Sequence, residues 1–173
     1  FRSNEMLKPA ESKFLIPQTI FKDTQVKHRR IIEERETKFI SRCRIGHLGT
    51  TGVETGPHVV PVCFALYEDK IYTPIDGKPK TTIRLRRLLN IQETGSAALL
   101  FNHYDEDWSK LAWVLVRGNA SAINESGQHL LAVQLLRDRY KQYRSMPLED
   151  LPIIVIEAQS CASWGVLKTS SSP

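Results

Sequence analysis

The sequence predicts a mainly β fold, a small closed barrel of about six antiparallel strands with flanking helices that plug its ends and sides. Three observations carry this. The predicted elements run helix, three strands, helix, two strands, helix, strand. The polar turn Glu68-Asp69-Lys70 is too tight to join anything but antiparallel neighbours. The run His58–Tyr67 is apolar almost throughout, hence on both faces, as in a barrel wall rather than an open sheet edge.

Each element has a local reason. Residues 1–22, with Pro9 and Pro17 and no clean period, read as an N-terminal arm. Asp23 or Thr24 can cap a helix running to Arg42, with Ile31, Ile32, Phe39 and Ile40 on one stripe. Its charge run Glu33-Glu34-Arg35-Glu36 reads as a solvated face. A short strand follows from Cys43 to Thr51, then turn residues at 51–57, then the strands His58–Tyr67 and Ile71–Ile75. Leu85, Leu88 and Leu89 at i, i+3, i+4 predict a helix over Thr81–Ile91. Beyond Gly95-Ser96 come the strand Ala97–His103 and the long strand Lys110–Ile123, with Gly118 marking a bend or bulge. Ser126 can cap a helix through Tyr143, and Ile153–Ala158 is a compact β-branched strand that 159–167 can continue. One domain over 23–168 is expected, with a short tail at 169–173.

With 173 residues, 41% of them hydrophobic, the chain can fill one core but not two large ones. Its formal charge of +5 favours anionic partners in general. The basic residues are scattered over helices as well as clustered, which disfavours nucleic acid. Cys43, Cys63 and Cys161 lie far apart in apolar surroundings, so reduced, buried thiols are expected. No apolar run approaches the roughly 20 residues that span a bilayer. The chain opens on Phe1 rather than Met, so residues upstream are expected, and nothing there resembles a secretory apolar core. A soluble cytoplasmic protein is the expectation.

The strongest chemical signal is the cation cluster Lys78, Lys80, Arg84, Arg86 and Arg87, between a strand and the start of a helix. A helix start presents unpaired N–H groups and the positive end of a dipole, so added lysines make it a phosphate pocket. The same pattern would arise from lysines that only solubilise a loop, with Trp108 and Trp113 in a core. The sequence carries no nucleophile elbow, metalloprotease helix, P-loop or dinucleotide fingerprint, and no two of its five histidines share metal-ligand spacing on a helix. No metal site is therefore expected. His58 and His103 stand out among the histidines only because each ends a candidate strand. A flat, conjugated, phosphorylated ligand would use the apolar strand and the lysines together. Such a cofactor does the redox chemistry itself, which accords with the lack of an obvious catalytic side chain.

The pieces Arg44–Thr50, Gly56–Leu66, Ile71-Tyr72-Thr73, Lys78-Pro79-Lys80 and Arg86–Ile91 together resemble the pyridoxamine 5′-phosphate oxidase-like, FMN-binding split-barrel superfamily. Phe101–Ser109, Arg139-Tyr140, Gln142-Tyr143 and Met146-Pro147-Leu148 resemble its deazaflavin-dependent (coenzyme F-type) subgroup. The likeness covers about residues 27–165. It implies a six-stranded split barrel and a homodimer formed through barrel faces, with two cofactor sites between subunits. It also implies an oxidoreductase that uses FMN, or alternatively a 5-deazaflavin, on a small-molecule substrate. By position, His58, Val60, Pro61 and Val62 match the strand that lines the flavin ring. Thr73 matches the end of the following strand, and Lys78 and Lys80 match the phosphate-holding pair. Trp108, Ser109 and Trp164 match places near the ring, the first two where a partner subunit would approach.

Two departures bear on activity. The ring-lining strand carries no Arg or Lys, and the family's basic C-terminal substrate motif is missing, since the chain runs Ser163-Trp164-Gly165 into a Ser-rich tail. Vitamin B6 oxidation is therefore not expected. A non-catalytic flavin- or haem-binding role remains the alternative from another class.

Overall fold

The computed structural model describes residues 30–75 and 85–167. They form one seven-stranded antiparallel sheet in the order β2-β1-β5-β6-β7-β4-β3. The strands are β1 (Gly46–Gly52), β2 (Gly56–Val62), β3 (Ala65–Tyr67), β4 (Lys70–Pro74), β5 (Ser96–His103), β6 (Ala112–Ile123) and β7 (Ile153–Gly165). The helices are α1 (Glu34–Arg42), α2 (Arg86–Thr94) and α3 (Gly127–Arg139). The two outermost strands, β2 and β3, follow one another in the chain with only Cys63 and Phe64 between them. The sheet therefore curls until its edges meet through covalent chain rather than through a hydrogen-bonded ladder. That is a split barrel.

The seventh strand arises because the predicted strand His58–Tyr67 is broken at this point. Tyr140, only 2% exposed, inserts its hydroxyl at the break. The oxygen accepts from the Phe64 N–H at 3.1 Å and from Arg139 Nε at 3.2 Å. Its single proton can go to the Arg44 carbonyl at 2.8 Å or the Phe64 carbonyl at 3.0 Å. One phenol thus satisfies backbone groups that a ladder would otherwise pair. Nor is β2 an interior wall strand. It is an edge, because Pro57 and Pro61 have no N–H to offer a second neighbour.

Other boundaries move for equally local reasons. Helix α1 starts at Glu34, not near Asp23. The Asp69 carboxylate accepts from the N–H groups of Ile31 and Ile32 (3.1 and 2.8 Å) and holds that segment in a bend. Residues 23–29 lie outside the described residues. Glu36 is buried rather than solvated, its Oε1 accepting from Arg35 Nε at 2.7 Å and Ser163 Oγ at 2.9 Å. Strand β1 starts at Gly46, since the carbonyls of Cys43 and Arg44 are taken by Arg139 and Tyr140. Helix α2 starts at Arg86, with Leu85 as an extended N-cap, and runs to Thr94. Helix α3 ends at Arg139, and the next turn tightens into a 3-10 segment, Lys141–Ser145. Its N-cap is Ser126, whose hydroxyl accepts from the His129 N–H.

The expected irregularity at Gly118 is a β-bulge: the register of β6 on β7 shifts between Arg117 and Gly118. Two apolar layers result. The barrel interior holds Ile40, Leu48, Phe64, Leu99, Phe101 and Val114. A second layer under α3 joins Tyr72, Leu136, Tyr140, Leu148 and Val155. Ile153–Ile156 are buried on both faces, since β7 separates the two layers there. The three cysteines are free thiols and half-buried. Among the described residues, no helix is long and apolar enough to cross a membrane.

Candidate functional site

A cleft of about 690 Å³ opens where β2 meets the 3-10 segment after α3. Val60, Pro61, Val62 and Cys63 form one wall, Gln142, Tyr143 and Met146 the opposite one, and Ile45, Pro74 and Arg87 complete it. The volume lies in the range of roughly 300–1,000 Å³ usual for organic ligands.

Each wall has a cause. The alternation along β2 turns Val60 and Val62 to one face and Pro61 to the other, and the strand's free edge leaves its backbone beside the opening. The opposite wall is held by Arg137, which donates to the Tyr143 carbonyl at 3.2 Å and the Met146 carbonyl at 2.9 Å. The Glu149 carboxylate pairs with the same guanidinium, Oε2 lying 2.9 Å from Nη2, and that contact holds the Glu149 carboxyl below the usual range. Tyr140 ties the start of this segment to the break between β2 and β3.

Among the described residues, Arg87 is the one cation in this lining, and it lies in the first turn of α2. Arg86, its neighbour, is exposed. No acidic residue occupies that first turn, so nothing there opposes an incoming anion. The chain leaves the cleft at Pro74 and returns to it at Arg87. Lys78, Lys80 and Arg84 lie outside the described residues.

The structure gathers three of the sequence-predicted residues, Val60, Pro61 and Val62, in the cleft. His58 is half-buried on β2 opposite Thr50 and shares the face of Val60, but it does not line the opening. Thr73 is 1% exposed, its Oγ1 buried with no hydrogen-bond partner, while its neighbour Pro74 reaches the cleft. Trp108 is 73% exposed on a 3-10 turn, and Ser109 beside it donates to Asp107 at 2.7 Å. Trp164, 55% exposed, sits on β7 opposite Trp113 and lines a different concavity. A single chain therefore does not bring these last three to Val60–Val62.

Nothing local in the sequence marks Ile45, Cys63, Pro74, Gln142, Tyr143 or Met146 as site residues. Gln142, Tyr143 and Met146 sat inside a helix prediction and a loop. The Tyr140 anchor and the Arg137 hydrogen bonds that set this wall are invisible without the fold.

A family model described as pyridoxamine 5′-phosphate oxidase matches residues 33–156. The chain belongs to this family. No curated protein matches the sequence. Among solved structures, a conserved hypothetical protein from Mycobacterium tuberculosis is similar with a TM-score of 0.63 at 18% identity, over 85% of this chain and 96% of that one. The heme storage protein HutZ from Vibrio cholerae gives 0.61 at 11% identity, over 78% and 94%. A FAD-binding protein from Mesorhizobium loti gives 0.56 at 15% identity, over 73% and 89%. At these identities the likeness is one of fold, and the split barrel is common to all.

Members of this family commonly bind flavins, and the lining of the cleft is compatible with such a group. An aromatic ring can lie against Val60, Pro61, Val62, Pro74 and Met146, while Arg87 meets an anionic arm at a helix start free of acids.

Proposed function

We propose that this chain is an oxidoreductase that binds FMN, or alternatively a phosphorylated 5-deazaflavin, in the cleft beside β2 and passes a hydride to a small conjugated substrate. The observation that carries this is the pairing of an apolar, open-edged strand at Val60–Val62 with the basic start of α2 at Arg87. Bound there, a flavin supplies the hydride chemistry. The chain's own residues bind and orient: the β2 wall excludes water from the ring, and Arg87 with Lys78 and Lys80 neutralises the phosphate. Membership of the pyridoxamine 5′-phosphate oxidase family and the likeness to a FAD-binding protein support the reading. The deazaflavin alternative rests on Phe101–Ser109 and on the further arginines Arg84 and Arg86, placed to hold a longer anionic tail.

The active form in this reading is a homodimer. The outer face of β2, β1, β5 and β6 leaves Val59 63% and Leu100 37% exposed, with Trp113 and Leu115 half-buried beside them. An apolar patch of this kind needs cover. A second copy seated on it would bring Trp108, Ser109 and Trp164 of one chain toward the ring held by the other.

Carriage or storage of haem is the second reading, favoured by the likeness to a heme storage protein. Lys80→Glu separates binding from folding. The variant is expected to keep its circular dichroism and melting temperature while losing retained flavin, read by absorbance after gel filtration. Undiminished flavin affinity would remove the proposed phosphate contact.

A further inference from the structure

A second concavity of about 760 Å³ lies on the other side of Ile45, between the C-terminal end of α1, the start of β1 and the end of β5. Its lining is amphipathic. Ile45 and Val166, 49% and 45% exposed, give its apolar half, and Phe39 forms the floor. Arg42, Arg44, His47, His103 and Lys110 supply the polar half, and among the described residues no carboxylate lines it.

The charges are not equivalent. Lys110 is shared with Asp107 at 3.3 Å and Asp105 at 3.9 Å, and Asp105 also reaches His103 at 4.0 Å. Arg42 lies over the Phe39 ring and donates to the Leu167 carbonyl at 3.5 Å. Arg44 donates to the Arg139 carbonyl at 3.0 Å and stacks on Tyr140, and among the described residues no carboxylate pairs with it. His47 adds an Nδ1 that is buried without a hydrogen-bond partner. Nearby polar capacity thus exceeds what the protein itself uses, and it sits beside exposed apolar surface.

We propose that this cleft binds a small amphipathic organic carboxylate, its apolar body on Ile45 and Val166 and its charge on Arg44 with Lys110. Ile45 lines both concavities, so the ligand would lie next to the cofactor cleft. That it is the substrate rests on the redox reading above; that it binds does not.

The test uses the full chain with 2-naphthoate and its neutral counterpart 2-naphthamide, titrated by calorimetry and by backbone amide NMR. The carboxylate should bind at least about tenfold more tightly than the amide, near 1.4 kcal/mol. Its perturbations should centre on Arg44–His47, Asn102, His103 and Val166. Arg44→Gln should weaken it about tenfold. Because Arg44 also braces Tyr140, Lys110→Gln provides a variant at an exposed side chain and should weaken it severalfold. Arg87→Gln should leave it unchanged. Equal affinity for the two probes, perturbations confined to Val60–Cys63, or indifference to both Arg44→Gln and Lys110→Gln would each overturn the proposal. Failure of FMN to bind, with the carboxylate preference intact, would remove the redox reading and leave this site standing.

Discussion

Tyr140 shows how one side chain can decide a fold's closure. Its hydroxyl serves Phe64 on both sides of the strand break and reaches the Arg44 carbonyl as well. Tyr140→Phe keeps the packing but orphans buried backbone groups, and should cost about 1–3 kcal/mol in chemical denaturation. A second residue-scale prediction concerns the thiols. Burial, with a smaller push from the Glu36 carboxylate, raises Cys161 from 9.0 to about 11, and burial raises Cys43 in the same direction. At pH 8 roughly one Cys161 in a thousand is thiolate, so iodoacetamide should label the folded protein slowly and the denatured one fast, as followed by mass spectrometry. The folded state holds this proton more tightly than the unfolded one. Its contribution to stability is therefore complete below pH 9.0 and lost as pH rises through about 11. In the sequence, both cysteines were readable as apolar-context thiols. Tyr140 was readable only as one apolar position on a helix, because its role depends on a strand 76 residues away.

At the scale of elements, strands were more legible than helix ends. The long strand β6 follows from side-chain alternation, and the first part of β7 from β-branching at Ile153–Ile156. Gly118 announced its bulge because a glycine inside a strand pattern marks close backbone approach. A Cβ there would lie 2.1 Å from the Glu157 carbonyl oxygen on β7. Gly118→Ala should therefore push β6 from β7 and lower stability by about 2–4 kcal/mol, read as a drop in melting temperature. Helix ends were displaced where distant groups compete for backbone. Asp69 takes the N–H groups that would have extended α1, and Arg139 and Tyr140 take carbonyls ahead of β1. No local pattern encodes such competition. The break in the His58–Tyr67 run has the same origin, although Pro57 and Pro61 already carried the edge character of β2 in the sequence.

For the whole molecule, the barrel class and the family were legible from element order and motif spacing, while of the candidate cleft's lining the sequence picked out chiefly β2. The facing wall depends on how α3 turns after Arg139, and the residues assigned to a partner's approach lie apart from β2 within one chain. The patch of exposed Val59 and Leu100 beside half-buried Trp113 leads to a dimer at micromolar concentration by light scattering. Leu100→Asp should yield a folded monomer with weakened cofactor retention. A wild-type monomer would contradict this. The central claim, a flavin held between β2 and the start of α2, is tested most directly by titrating the apo-protein side by side with FMN, a phosphorylated 5-deazaflavin and haem, in wild type and Arg87→Glu. Saturable binding of FMN or the deazaflavin at micromolar or lower concentration, weakened at least about tenfold by the substitution, is the predicted result. Binding of haem alone, or flavin binding indifferent to Arg87→Glu, would contradict it.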